Sequence, residues 1–182
     1  GGLTDIAAFE DLDGDGDLDI LAVKDFGPEM IPNALFLHEG DLHYVERAAD
    51  FGLDLAIYSM GIDLADVDGD RSLELVLGDS DERVQLLSLV DGVCVDVAAA
   101  WGALPVEANS HRASWGAVFE DVDFDGDPDL LTPWGLKEYW HDLPDQRNTL
   151  HRWHDGRFED VTGQSLPAVD SRAWRTVLAG DI

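Results

Sequence analysis

Asp11-Leu12-Asp13-Gly14-Asp15-Gly16-Asp17-Leu18-Asp19 decides the fold, because the chain writes it three times. It returns as Asp66-Val67-Asp68-Gly69-Asp70-Arg71-Ser72-Leu73-Glu74 and again as Asp121-Val122-Asp123-Phe124-Asp125-Gly126-Asp127-Pro128-Asp129, and the openings at Asp11, Asp66 and Asp121 are evenly spaced. Matching apolar segments precede the copies: Ala7-Ala8-Phe9-Glu10, Ile62-Asp63-Leu64-Ala65 and Ala117-Val118-Phe119-Glu120. A fourth, Val177-Leu178-Ala179-Gly180, runs into Asp181-Ile182. Self-similarity at a fixed period of this length marks an array of supersecondary units.

Outward from each acidic run, the period reads as strands. Ile20 to Val23, Leu75 to Leu77 and Leu130-Leu131 are short aliphatic runs bounded by Gly, Pro and Asp, the signature of a strand. Next come Asn33 to Leu37, Arg83 to Leu87 and Asn148 to Arg152. Each leads through a turn (Glu39-Gly40-Asp41, Asp91-Gly92, Asp155-Gly156) to a further run at His43 to Val45, Val93 to Val95 and Phe158 to Val161. Asp-Gly between such runs is a strong hairpin signal. The fold class is therefore all-β: blades of four antiparallel strands, as in a β-propeller. About three blades and the start of a fourth are expected, at residues 1–57, 58–112, 113–173 and 174–182. A sandwich or barrel with chance Asp-rich turns does not explain the equal offsets.

The acidic runs suit a hard cation. Side chains at positions 1, 3, 5 and 9 converge around a tight turn, and Ca²⁺ takes six to eight oxygens from carboxylates, carbonyls and water. Loop one offers Asp11, Asp13, Asp15 and Asp19, with the position-7 carbonyl of Asp17. Loop three offers Asp121, Asp123, Asp125 and Asp129, with Asp127 at position 7. Gly16 and Gly126 at position 6 supply positive φ. Loop two offers Asp66, Asp68, Asp70 and Glu74, with Ser72 at position 7. Arg71 replaces its glycine, so a weaker site is expected there. An EF-hand is excluded, because position 12 is Ala22, Leu77 or Thr132 instead of Glu and strands flank the loop. The competing reading is a solvated acidic turn. Without metal, however, carboxylates 4 Å apart repel by about 1 kcal/mol per pair even in water.

Composition agrees. The 182 residues carry 39 acidic and 11 basic side chains, a net charge of −28. That excludes the clustered Lys and Arg of a nucleic-acid binder. The 45% hydrophobic fraction, with 6 Trp and 7 Phe, is too apolar for a disordered acidic tail. No apolar run reaches the roughly 18 residues of a membrane-spanning helix, so no membrane insertion is expected. The single Cys94 can form no internal disulfide, and Gly1-Gly2-Leu3-Thr4 has the look of an excised segment.

These residues resemble the FG-GAP/VCBS repeat family, the Ca²⁺-loop propellers related to the integrin α-subunit head. The pattern D-x-D-x-D-G-x-x-D is complete at Asp11 to Asp19 and Asp121 to Asp129. Ser59-Met60-Gly61-Ile62, Ser114-Trp115-Gly116 and Gly156 to Thr162 are similar to the ASPIC/UnbV and cartilage-acidic-protein-like branch. Phe51-Gly52 and Trp101-Gly102 are fragments of the literal Phe-Gly signature. The resemblance implies a ring of about seven blades, completed by the parent chain or by other chains. It also implies an extracellular, cell-surface or periplasmic setting.

In such folds the metal loops line one rim and partners bind the other. Here the connections on that other rim vary in length, as recognition loops do. Trp134, Tyr139, Trp140 and His141, in the longest of them, are the candidate ligand-binding residues for a protein or glycan partner. The function expected is a calcium-stabilised scaffold for recognition or adhesion. A polysaccharide lyase or hydrolase of propeller type is the alternative, and a structural assembly unit of a cell-surface protein is a third. No catalytic residues are assigned, since nucleophile-elbow, zinc-protease and phosphate-loop motifs are missing from the sequence.

Overall fold

The computed structural model describes residues 3–80, 83–103, 112–136 and 148–166. Three four-stranded antiparallel sheets account for most of them. The first holds β1 (Leu3–Glu10), β2 (Asp19–Asp25), β3 (Ala34–His38) and β4 (Tyr44–Glu46) in chain order. The second repeats the meander with β5 (Ser59–Ala65), β6 (Glu74–Asp79), β7 (Arg83–Val90) and β8 (Val93–Asp96), followed by the one-turn helix α1 (Ala98–Trp101). In the third, β9 (Arg112–Ser114) and β10 (Val118–Glu120) share the role of one first strand, and β11 (Asp129–Thr132) and β12 (Trp134–Leu136) that of one second strand. Strands β13 (Thr149–His154) and β14 (Arg157–Asp160) and the turn α2 (Thr162–Ser165) complete it.

The break in the third sheet has a local cause. Pro133 has no N–H to donate to the ladder, and the gap is closed by Trp115 N–H donating to the Pro133 carbonyl at 3.3 Å. The first two sheets carry a register shift at the same place, between Thr4 and Ile6 and between Ser59 and Gly61. Two of the expected hairpins form with both turn residues left-handed: Asp91 and Gly92 at φ 52° and 82°, Asp155 and Gly156 at 49° and 77°. Such turns match the right-handed twist of the strands they join.

The sheets stack face to face, and the apolar core lies between them. Leu21, Val23, Leu35 and Leu53 of the first sheet and its trailing loop pack against Leu75, Leu77, Leu87 and Cys94 of the second. Val76, Val84 and Leu86 on the opposite face of the second sheet pack against Phe119, Leu130, Trp134, Trp153 and Phe158 of the third. The alternation along β6, with Leu75 and Leu77 facing one way and Val76 the other, is the pleat of a strand buried on both faces. Close approach between the second and third sheets needs glycine. A Cβ on Gly61 would lie 2.7 Å from Gly116 Cα, and one on Gly78 would lie 2.8 Å from Gly116 N.

Each sheet hooks the next through its trailing loop. The Cys94 N–H donates to the Phe51 carbonyl at 2.8 Å, and Trp101 packs at a tilt of 53° against Trp153 with ring centroids 4.8 Å apart. Phe51-Gly52 and Trp101-Gly102 are thus the docking points between consecutive sheets. The turn ahead of each hook is capped in the same way: Glu46, Asp96 and Asp160 each accept from the N–H two residues on, at 2.9 to 3.0 Å.

Candidate metal centre

All three acidic runs span the connection between first and second strands, so the sheets present them on one edge. Inside each run, the carboxylates accept backbone N–H groups in a repeated order. Asp11 accepts from Gly14 and Gly16, Asp13 from Asp15, and Asp15 from Asp17, at 2.8 to 3.1 Å. Asp121 accepts from Asp125 and Gly126, Asp123 from Asp125, and Asp125 from Asp127. Loop two keeps the pattern through Asp66 to Arg71, Asp68 to Asp70 and Asp70 to Ser72. Short Asp side chains that bond their own backbone two to five residues on are what curl the chain here.

Position 6 is left-handed in every loop: Gly16 at φ 93°, Gly126 at 99° and, as the sequence led us to expect, Arg71 at 77°. Position 4 is left-handed as well, which the sequence reading missed. Gly14 and Gly69 adopt it freely, but in loop three the residue is Phe124, at φ 61° and 87% exposed. The signal was present in the glycines at positions 14 and 69.

Position 9 is not one more rim carboxylate. Asp19 and Asp129 are each 1% exposed and Glu74 is 0% exposed. Asp129 accepts from the Val122 N–H at 3.2 Å and the Trp153 N–H at 2.9 Å. Asp19 does the same with Leu12 and His38, both at 2.9 Å, and Glu74 accepts from Val67. This carboxylate therefore ties the loop to the third strand. Its burial pushes the Asp129 and Glu74 carboxyls above their usual range. The nearby charges of Asp123 and Asp125, and of Asp68 and Asp70, push the same way, against the lowering effect of the hydrogen bonds. Asp13 is raised too, by desolvation first and then by Asp15, Asp19 and Asp11. Because Asp13 is an exposed residue, we assign that shift no stability.

The arrangement fits a cation. Carboxylate oxygens of Asp11, Asp13 and Asp15, of Asp66, Asp68 and Asp70, and of Asp121, Asp123 and Asp129 lie within 4.8 Å of one another in each set. Two oxygens bound at about 2.4 Å on opposite sides of one Ca²⁺ are separated by about that distance. Asp66 Oδ1 is buried and bonds nothing in the protein, leaving an acceptor for which a cation is the natural partner. Asp17, Ser72 and Asp127 at position 7 stand outside these sets; the Asp17 carboxylate lies 3.3 Å from His38 Nδ1. Arg71 lines a cleft of about 250 Å³ that also includes Asp11 and Asp13 of loop one and the apolar Leu53 and Leu75.

Residues 11–77 match the family model of the FG-GAP-like repeat. This segment is an FG-GAP repeat. It runs from the first acidic loop through the second loop and into β6. No curated protein matches the chain. FG-GAP repeats often bind calcium, in keeping with the carboxylate sets.

One sequence expectation requires correction. Trp134, expected as a ligand-binding ring on the rim, is 1% exposed. It packs in the core with Trp153 and Phe158, and its indole N–H donates to Thr149 Oγ1 at 2.9 Å. A ring held on all sides has no face to offer a ligand. At position 8 of loop one Leu18 is 54% exposed, while Leu12 at position 2 is buried. Tyr139, Trp140 and His141, and the expected fourth unit at 174–182, lie outside the described residues. Sequence reasoning also missed Arg152, whose guanidinium is 3.8 Å from Asp123.

Proposed function

We propose that this chain is part of a calcium-stabilised β-propeller scaffold, in which the metal holds the first two strands of each blade together and a rim recognises a partner. The observation that carries this is the threefold recurrence of three carboxylates within 4.8 Å on loops whose backbone N–H groups are already consumed internally. Bound Ca²⁺ would supply charge neutralisation and a cross-link among oxygens of residues that are adjacent on one edge. Asp11, Asp13 and Asp15, then Asp66, Asp68 and Asp70, then Asp121, Asp123 and Asp129 would hold it, with Asp19 and Glu74 close behind. The protein's own part is to fix those oxygens: Asx-type turns set the loop, and the buried position-9 carboxylate anchors it to the core.

We assign partner recognition to the rim opposite the metal loops, with Tyr139, Trp140 and His141, which belong to the longest connection in the sequence and lie outside the described residues, as its candidate residues. A protein or glycan partner outside the cytoplasm fits this reading, as do an extracellular, cell-surface or periplasmic setting and kinship with the ASPIC/UnbV branch. Among the described residues no helix is long and apolar enough to cross a membrane. The test is calcium calorimetry with thermal melting. Ca²⁺ at 100 times a site's dissociation constant should add about 2.7 kcal/mol per site if only the folded form binds. Mg²⁺ should substitute poorly, because it demands a tighter octahedron. An unchanged melt in chelator would reduce the carboxylates to surface charge.

A further inference from the structure

The residue behind each loop on the third strand differs between the three sheets. Ile20 pairs with Phe36, Leu75 with Leu87 and Leu130 with His151, so the next residues, Leu37, Ser88 and Arg152, are structural equivalents. Leu37 is apolar and Ser88 neutral. Arg152 carries a full positive charge, with Nη1 3.8 Å from Asp123 Oδ2 and Nη2 3.8 Å from Glu159 Oε2. Its Nε is buried with no partner. Arg152, Asp123 and Glu159 line one cleft of about 430 Å³ together with Asp129. The converging carboxylates also differ: positions 1, 3 and 5 in loops one and two, but positions 1, 3 and 9 in loop three. In loop three, then, Asp123 faces the guanidinium and the buried Asp129.

We propose that Arg152 is a built-in competing cation that weakens calcium binding at the third loop and so grades the three sites. The inference rests on the calcium reading above. It reverses the ranking that sequence alone suggests, in which loop three, with its complete motif, would equal loop one. A Ca²⁺ bound to Asp123 Oδ2 at about 2.4 Å would sit no farther than about 6 Å from the guanidinium. Like charges of one and two units at that distance repel enough, even at the dielectric of water, to weaken binding about tenfold. Arginine cannot relieve this by losing its proton.

The test is calcium calorimetry at low salt on the full chain carrying Asp11→Asn and Asp66→Asn, which silences loops one and two. Arg152→Gln should tighten the remaining site about tenfold, and Arg152→Lys should leave it within about twofold. Should Arg152→Gln unfold the chain, the reciprocal Leu37→Arg in a background silenced at Asp66 and Asp121 should weaken loop one by the same factor. Equal affinity in parent and Arg152→Gln, or weaker binding in the variant, would overturn the proposal and make Arg152 a tether for Asp123. Failure of the unsubstituted chain and all variants to bind calcium would overturn the calcium reading itself, and this inference with it.

Discussion

Replacing Phe124 by glycine should make the protein more stable, although it deletes an aromatic side chain. Phe124 sits at φ 61°, where a residue with a Cβ pays about 1 to 2 kcal/mol over glycine. The ring is 87% exposed, so folding buries almost none of it and its removal forfeits little hydrophobic energy. Against this, glycine raises the entropy of the unfolded chain, at about 0.4 to 1 kcal/mol. The net expectation for Phe124→Gly is a gain of about 0.5 to 1 kcal/mol, or a melting temperature higher by roughly 1 to 4 °C for a chain of this size. Urea and thermal melts in excess chelator measure it without a metal contribution. Phe124→Ala separates ring from backbone: it keeps the Cβ, so it should match the parent within about 0.5 kcal/mol, the usual range for an exposed substitution. Gly69→Ala, at the same place in loop two (φ 77°), should lose about 1 kcal/mol. If alanine stabilises as much as glycine at 124, or if Gly69→Ala costs nothing, the backbone argument is wrong.

Asp129→Ala should cost about 2 to 4 kcal/mol in chemical denaturation, because two N–H donors, on Val122 and Trp153, lose their acceptor; Asp129→Asn should recover part of it, and a loss below about 1 kcal/mol would show that water replaces the carboxylate. Gly61→Ala should destabilise by about 1 to 3 kcal/mol through the 2.7 Å clash with Gly116, read as a lower urea midpoint; a neutral result would mean the sheets slide apart freely. Burial lowers the pKa of His151 despite the opposing charge of Asp160. Its neutral form is therefore favoured by folding, with stability complete above pH 6.5 and lost as pH falls through the lowered folded value. His151→Phe, which installs the residue found at the equivalent Phe36, should shrink the loss of melting temperature between pH 7 and pH 5; an equal loss in both proteins would assign the acid sensitivity elsewhere.

Sequence alone determined whatever depends on chemistry between near neighbours along the chain. The constant period, the four strands per unit, the Asp-Gly hairpins and the placement of each acidic run between first and second strands all follow from turn residues and from alternation over short stretches. So does the left-handed backbone at position 6, even where Arg71 occupies it, because an Asp five residues earlier must receive that N–H. Tertiary structure alone decided which side chains are withdrawn from solvent. Trp134 reads equally well as a binding ring or a core ring until Trp153 and Phe158 from the same sheet close around it. Position 9 reads as one ligand among four until the third strand, 19 residues on from Asp19 and 24 on from Asp129, presents an N–H to it. Arg152 acquires its meaning in the same way, since it lies far along the chain from Asp123 and reaches it only because β13 pairs with β11. Contacts across such separations depend on sheet pairing and stacking, which local residue types constrain but do not specify.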